Sequence, residues 1–125
     1  MAKPLAFLHL GPRMIGVEQP HETLLLSEAV ASSGLAVPRV SNLSMLHADL
    51  EIRRRHTEAG LTRKVVEGAW ADVCRKLYKA KSDVVVSQPN FLQAPAPQAA
   101  LALDGLFWFQ VHLVLTPTEA PVDQD

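Results

Sequence analysis

The sequence has a single cysteine, Cys74, so the chain forms no intrachain disulfide, which is usual for proteins of a reducing compartment. It also lacks an excess of charge, because 12 Lys and Arg residues stand against 13 Asp and Glu residues. A net charge of -1 creates no basic field that would attract nucleic acid or an anionic lipid surface. No apolar run approaches the ~20 residues of a membrane helix, and residues 5–10 are too few for a signal-peptide core. These absences predict a cytoplasmic protein that binds neither nucleic acid nor membrane.

What is present is ordinary globular composition, with 48% hydrophobic and 20% charged residues in a chain of 125. This length suits one compact domain with its own core, which we place at residues 1–115. The last ten residues, 116–125, contain two prolines and three acidic residues. We expect this segment to be a flexible acidic tail.

Three apolar segments have the character of strands. Leu5 to Leu10 is apolar almost throughout, which favours a central strand covered on both faces. Val84 to Ser87 begins with three β-branched residues, and Leu106 to Leu115 is mostly aromatic and β-branched. Strands separated by helices predict an α/β fold with a short parallel sheet and helices packed on its faces.

Helical spacing of apolar residues predicts four helices. The first covers residues 20–33, and the second covers 44–58 with Ser44 as its cap and Leu46, Leu50 and Ile52 facing inward. The clearest covers 62–80, and a short one covers 97–103 before Asp104-Gly105. The apolar stripe of the third helix consists of Val65, Val66, Ala69, Trp70, Val73, Cys74, Leu77 and Tyr78.

The segment after the first strand has the form of an anion-binding loop, bounded by Gly11 and Gly16. A loop between a strand and a helix N-terminus presents backbone N–H groups to a phosphate. The usual pattern adds a lysine and a hydroxyl residue, whereas this chain has Met14 at the lysine position and Val17-Glu18 after the second glycine. The loop therefore keeps its backbone pattern without the cation.

Residues 7–16, FLHLGPRMIG, resemble the start of bacterial sulfotransferase-like domains, which read hydrophobic-Leu-His-x-Gly-Pro-x-Lys-x-Gly-Thr-Thr. The resemblance continues in outline through Gly34 to Pro38, Asp83 to Ser87 and Leu113 to Thr116, and covers the N-terminal half of such a domain. It implies a three-layer fold of the P-loop type that binds phosphoadenosine phosphosulfate and transfers its sulfuryl group. The residues implied as vestigial donor-binding positions are His9, Gly11, Pro12, Arg13, Gly16 and Ser87.

Departures from this pattern fall on the functional positions. Met14 replaces the lysine, Ile15 the small polar residue, and Val17-Glu18 the Thr-Thr pair. Pro89 stands where the family has an acid, and Pro117 where it has an arginine for the donor. Loss of one preorganised charge costs about 3 kcal/mol of transition-state stabilisation. The resemblance thus implies a non-catalytic relative, a pseudoenzyme or remnant that serves as an interaction module, with no bound cofactor.

Two other functions stay open at this point. One is an active sulfotransferase that uses phosphoadenosine phosphosulfate and is completed by another chain. The other is a small α/β protein of different ancestry whose loop holds some other anion. Because half of a domain exposes apolar surface, we also expect a second copy or a partner chain to cover part of the sheet or of a helix.

The remaining reactive side chains have simpler interpretations. His47 and Asp49 are two apart on a predicted helix, a spacing that does not form a metal pair, so we expect them to be solvated or capping. The run from Arg53 to His56 predicts a solvated helix face. His112 is expected in the core or at a sheet edge. Side chains expected to be buried are Trp70, Cys74, Trp108 and Phe109.

Overall fold

The computed structural model describes residues 3–11, 21, 24 and 27–115, and within them the chain has a mixed α/β fold built on a three-stranded parallel sheet. The strands are β1 (Leu5–Leu10), β2 (Val84–Ser87) and β3 (Gln110–Leu115). The α-helices are α1 (Glu28–Ser32), α2 (Asn42–Arg53), α3 (Arg63–Val66), α4 (Ala69–Ala80) and α5 (Ala96–Asp104), and a 3-10 helix covers Pro89–Gln93.

The strand order is β2-β1-β3, which confirms the central position of β1 and the parallel sheet. Ala6 pairs with Val84 on one side and with Val111 on the other. Side chains alternate along β1, with Ala6, Leu8 and Leu10 buried on one face and the intervening residues half-buried on the other. The central strand β1 is therefore fully covered on one face.

The two long helices α2 and α4 supply most of the cover on that face, through Met45, Ala48 and Ile52 and through Val73 and Leu77. The indole of Trp70 donates a hydrogen bond to the Ala102 carbonyl at 3.0 Å, which joins α4 to α5. The predicted helix cover on the second face stays a prediction, since residues 12–20 lie outside the described ones.

The two edges of the sheet differ. Beyond β2, Ala36 forms an isolated parallel bridge with Val84. The Ala36 amide donates to the Asp83 carbonyl, and the Val85 amide donates to the Ala36 carbonyl. Beyond β3, no strand is paired among the described residues. Among the described residues, β2 is thus covered at its outer edge and β3 is open.

Several predicted helix limits are wrong, each for a local reason. The helix predicted over 20–33 is interrupted at Ser27, which is extended and caps α1. Ser41 rather than Ser44 caps α2, since the Ser41 hydroxyl accepts the Ser44 amide at 3.0 Å, and α2 ends where Arg54 turns left-handed. Gly68, with φ of 84°, divides the helix predicted over 62–80 into α3 and α4.

Three predicted burials are also wrong. Leu46 and Val65 lie on the exposed sides of α2 and α3, and Trp108 is 64% exposed. Trp108 belongs to a turn, since the predicted strand over 106–115 begins only at Gln110. Trp70 and Phe109 are buried as predicted.

Candidate functional site at the carboxyl end of the sheet

Ligands of parallel α/β sheets bind beyond the carboxyl ends of the strands, and three of the predicted site residues, His9, Gly11 and Ser87, lie at the ends of β1 and β2. His9 and Ser87 are partners in the β1–β2 register, and Gly11 directly follows β1. Pro12, Arg13 and Gly16 lie outside the described residues, as do Met14 and Glu18. Three of the six predicted positions can therefore be placed.

His9 and Ser87 share a hydrogen bond, with 2.8 Å between the imidazole Nδ1 and the hydroxyl oxygen. Ser87 is buried and His9 is half-buried. Burial lowers the pKa of His9, because a partly desolvated imidazole disfavours the charged form. The imidazole is therefore held neutral near pH 7 and brings no positive charge to this end of the sheet.

The backbone continues the β1–β2 pairing past the strand ends. The Gln88 amide donates to the His9 carbonyl at 3.0 Å, and the Gly11 amide donates to the Pro89 carbonyl at 3.1 Å. Gly11 has φ of 151°, outside the range that side chains with a Cβ favour. The first amide of the predicted anion loop is thus bonded to the neighbouring segment.

A buried polar cluster of Asp49, Arg53, Gln88 and Asn90 ties α2 to the segment after β2. Arg53 donates to both carboxylate oxygens of Asp49 at 2.7 Å, and this bond raises the pKa of the Arg53 guanidinium. Asn90 donates to Asp49 at 3.3 Å, and Gln88 donates to the Met45 carbonyl at 2.9 Å. The charges of the cluster are matched internally, so its role is to position the two segments.

This cluster corrects two predictions. Asp49 is buried rather than solvated, and Arg53 lies against it rather than on a solvated face. The i, i+4 spacing of an acid and a base on one helix is the sequence feature that indicates this ion pair. Arg55 does lie at the surface, where it pairs with Glu58.

Metal and thiol chemistry find no support in the part of the chain that the structure describes. No group of three His, Cys, Asp or Glu residues there is arranged to hold a metal ion. Burial raises the pKa of Cys74 to about 12, so the thiol stays protonated and unreactive, as predicted. His112 lies exposed on β3, the edge strand, where its ring contacts Phe7.

Comparison with protein-family models, with curated proteins and with solved structures finds no match for this chain. Among the described helices, none combines the length and the apolar content that crossing a bilayer requires.

Proposed function

We propose that this chain is a non-catalytic α/β domain of sulfotransferase-like, P-loop-type ancestry that acts as an interaction module, pairing its β3 with β3 of a second copy. The ancestry is supported by the sequence of residues 7–16, and the loss of catalysis by the replacement of its functional residues. The observation that carries the pairing is the open, apolar outer edge of β3.

The edge strand β3 is exposed to an unusual degree for an apolar segment. Leu113, Val114 and Leu115 are 55%, 42% and 62% exposed. Successive side chains of a strand point to opposite faces, so Leu113 and Leu115 are exposed on one face and Val114 on the other. β3 contains no charged residue and no proline, the devices that normally protect an edge from pairing.

A second copy is the occupant that this edge fits. Two β3 strands related by a two-fold axis normal to the sheet can pair antiparallel with Leu113 opposite itself. Val111 is then opposite Leu115 of the second copy, and His112 is opposite Val114. Side chains on one face of the first sheet therefore lie on the same face of the joined sheet. The net charge of -1 produces little repulsion between copies. The two three-stranded sheets would become one sheet of six strands.

The carboxyl end of the sheet supports the non-catalytic part of the proposal. A sulfuryl donor carries several negative charges, which need preorganised cations and amides. Here His9 is held neutral, the Gly11 amide is bonded to Pro89, and Met14 occupies the position of the lysine. Such a loop has lost the groups that would make anion capture productive.

The assembly is tested by light scattering coupled to size exclusion. The wild-type protein should have twice the 13.7 kDa mass of the chain. Leu113→Lys should be monomeric, because two lysines would face each other across the axis. Leu43→Lys is the matched control, since Leu43 is similarly exposed on α2, and it should remain dimeric. A monomeric wild type, or a dimer unaffected by Leu113→Lys, would overturn the pairing.

The register is tested by oxidation of cysteine variants. Leu113→Cys should form an intermolecular disulfide, because residues opposite each other across a two-fold lie within the Cα separation that a disulfide spans. His112→Cys should cross-link poorly, as its partner in the pair is Val114. Equal cross-linking of both variants, with Cys74 replaced by Ala in each, would contradict this register.

Donor binding is tested by thermal shift with phosphoadenosine phosphosulfate. The wild-type melting temperature should not change, because a ligand that does not bind the folded state does not stabilise it. A shift in Met14→Lys alone would show that the loop retains its geometry and lacks the cation. A concentration-dependent shift in the wild type would restore the active-enzyme reading and refute the proposal of a non-catalytic domain.

A further inference from the structure

A second concave site lies among the helices and shares no residue with the carboxyl end of the sheet. It is a cleft of about 480 Å³ between α2, α3, α4 and α5. This volume is within the range of small-molecule sites. Its walls are formed by Glu51, Ile52, Arg54, His56, Arg63, Val66, Glu67, Trp70, Ala71, Leu101 and Gly105.

The charged residues of the cleft wall are two acids and two arginines. The carboxylate of Glu51 accepts the amides of Gly68 and Trp70 at 2.7 and 3.0 Å, so it is already committed to the start of α4. Arg54 and Arg63 have no carboxylate partner among the described residues. Glu67 is the one remaining carboxylate of the wall. The wall therefore carries two arginines without an ion-pair partner among the described residues, and the two acids balance their formal charge.

A buried polar atom of the wall is also without a partner. Within the described part of the chain, the Nδ1 atom of His56 is buried and makes no hydrogen bond. Buried ring nitrogens are normally satisfied by protein, water or a ligand. The Nδ1 atom of His56 is therefore a polar group of the wall that a ligand atom would satisfy.

The backbone conformation of Arg54 places this residue in the wall of the cleft. Arg54 has φ of 58°, a left-handed conformation that costs a residue other than glycine on the order of 1 kcal/mol. It is held by the Arg54 amide, which donates to the Glu51 carbonyl, and by the Arg55 amide, which donates to Leu50. The chain leaves α2 at this point, which places Arg54 in the wall of the cleft.

The other lining residues are apolar. Ile52, Val66 and Trp70 are buried core residues that contribute to the wall, together with Ala71 and Leu101. A ligand that gains from all of these groups has one acidic head and an apolar body, since the head meets the arginines while the body excludes water from the wall.

We propose that this cleft binds a small amphiphilic organic anion, with its carboxylate, sulfonate or phosphate head at Arg54 and Arg63 and its apolar body against Ile52, Val66 and Trp70. The site is independent of the β3 pairing and of the predicted anion loop.

The test uses 1-anilinonaphthalene-8-sulfonate, an aromatic sulfonate whose fluorescence rises in an apolar site. The wild type should bind it saturably at one site, with quenching of Trp70 emission. Arg54→Ala combined with Arg63→Ala should weaken binding tenfold or more, since one charge-assisted hydrogen bond contributes about 1.5–3 kcal/mol. Arg39→Ala, which removes an exposed arginine outside the cleft, should leave the affinity unchanged.

Two further measurements separate the cleft from other apolar surfaces. The uncharged parent N-phenyl-1-naphthylamine should bind at least tenfold more weakly, because it lacks the head group. The Leu113→Lys variant should bind the sulfonate as the wild type does, whether or not β3 pairs. Unchanged affinity in the double arginine variant, with a native near-ultraviolet spectrum, would overturn the proposal, as would equal binding of the uncharged probe.

Discussion

The Nδ1 atom of His9 and the hydroxyl oxygen of Ser87 lie 2.8 Å apart across the β1–β2 pair, and burial lowers the pKa of that histidine. The unfolded chain has a histidine pKa of about 6.5. As the pH falls below about 6.5, the unfolded state takes up the proton before the folded state does. The contribution of His9 to stability is therefore complete above about 6.5 and is lost on acidification toward its lowered folded-state pKa.

We expect His9→Gln to reduce the dependence of the free energy of unfolding on pH in that acidic window. Urea unfolding at several pH values measures the slope for the wild type and the variant. A wild-type slope that is unaffected by His9→Gln would contradict a neutral, buried His9.

Glu51 is expected to stabilise the start of α4. Its carboxylate accepts the amides of Gly68 and Trp70, which would otherwise lack helical partners. Glu51→Ala should lower the free energy of unfolding by about 1–2 kcal/mol, the usual effect of losing an N-terminal cap. Glu51→Gln, which keeps one oxygen acceptor, should lose less. Glu67→Ala is the control in the same cleft, and a loss equal to that of Glu51→Ala would show that the amide contacts are unimportant.

Gly105 is expected to be intolerant of a side chain for a steric reason. A Cβ at this position would lie 2.8 Å from Trp70 Nε1 and 2.9 Å from Cys74 Sγ, although the backbone φ of -64° suits any residue. Gly105→Ala should destabilise the fold by about 1–3 kcal/mol through overpacking. In a Cys74→Ala background the added loss should be smaller, because one of the two contacts is gone. A double-mutant cycle with no coupling would contradict this explanation.

Cys74 should react only when the fold opens. Its thiol is buried and its pKa is raised to about 12 by burial, so very little thiolate exists near neutral pH. Labelling with a thiol-specific disulfide reagent should be slow in buffer and fast in urea. Fast labelling of protein that keeps its native near-ultraviolet spectrum would show that the thiol is accessible.

The strands β1 and β2 could be predicted from the sequence because short, continuous apolar runs favour covered strands of a parallel sheet, whereas β3 begins four residues later than predicted and is exposed. The same reasoning located the stripe of α4, where Trp70, Val73 and Leu77 are buried. It failed where single residues decide the backbone path, as at Ser27, Arg54 and Gly68. The periodic spacing of apolar residues carries no information about a capping hydroxyl or a residue in the left-handed conformation.

Of the residues at the candidate sites, some were predicted from the sequence and others were not. His9 and Ser87, proposed from the resemblance, do lie together at the carboxyl end of the sheet. The pairing of Asp49 with Arg53 was readable from their spacing but was interpreted as surface charge. The helical cleft was not predicted, because Arg54, Arg63 and Leu101 come from separate segments that only the fold brings together.

The central position of β1 determines when the sheet can form during synthesis. Of the three described strands, β1 is synthesised first, and its register partners on either side begin at Val84 and Gln110. At about 5–20 residues per second, translation leaves β1 without partners for several seconds. Its apolar side chains must be shielded during that interval by transient contacts or by a chaperone, so the yield of native protein should depend on elongation rate as well as on final stability.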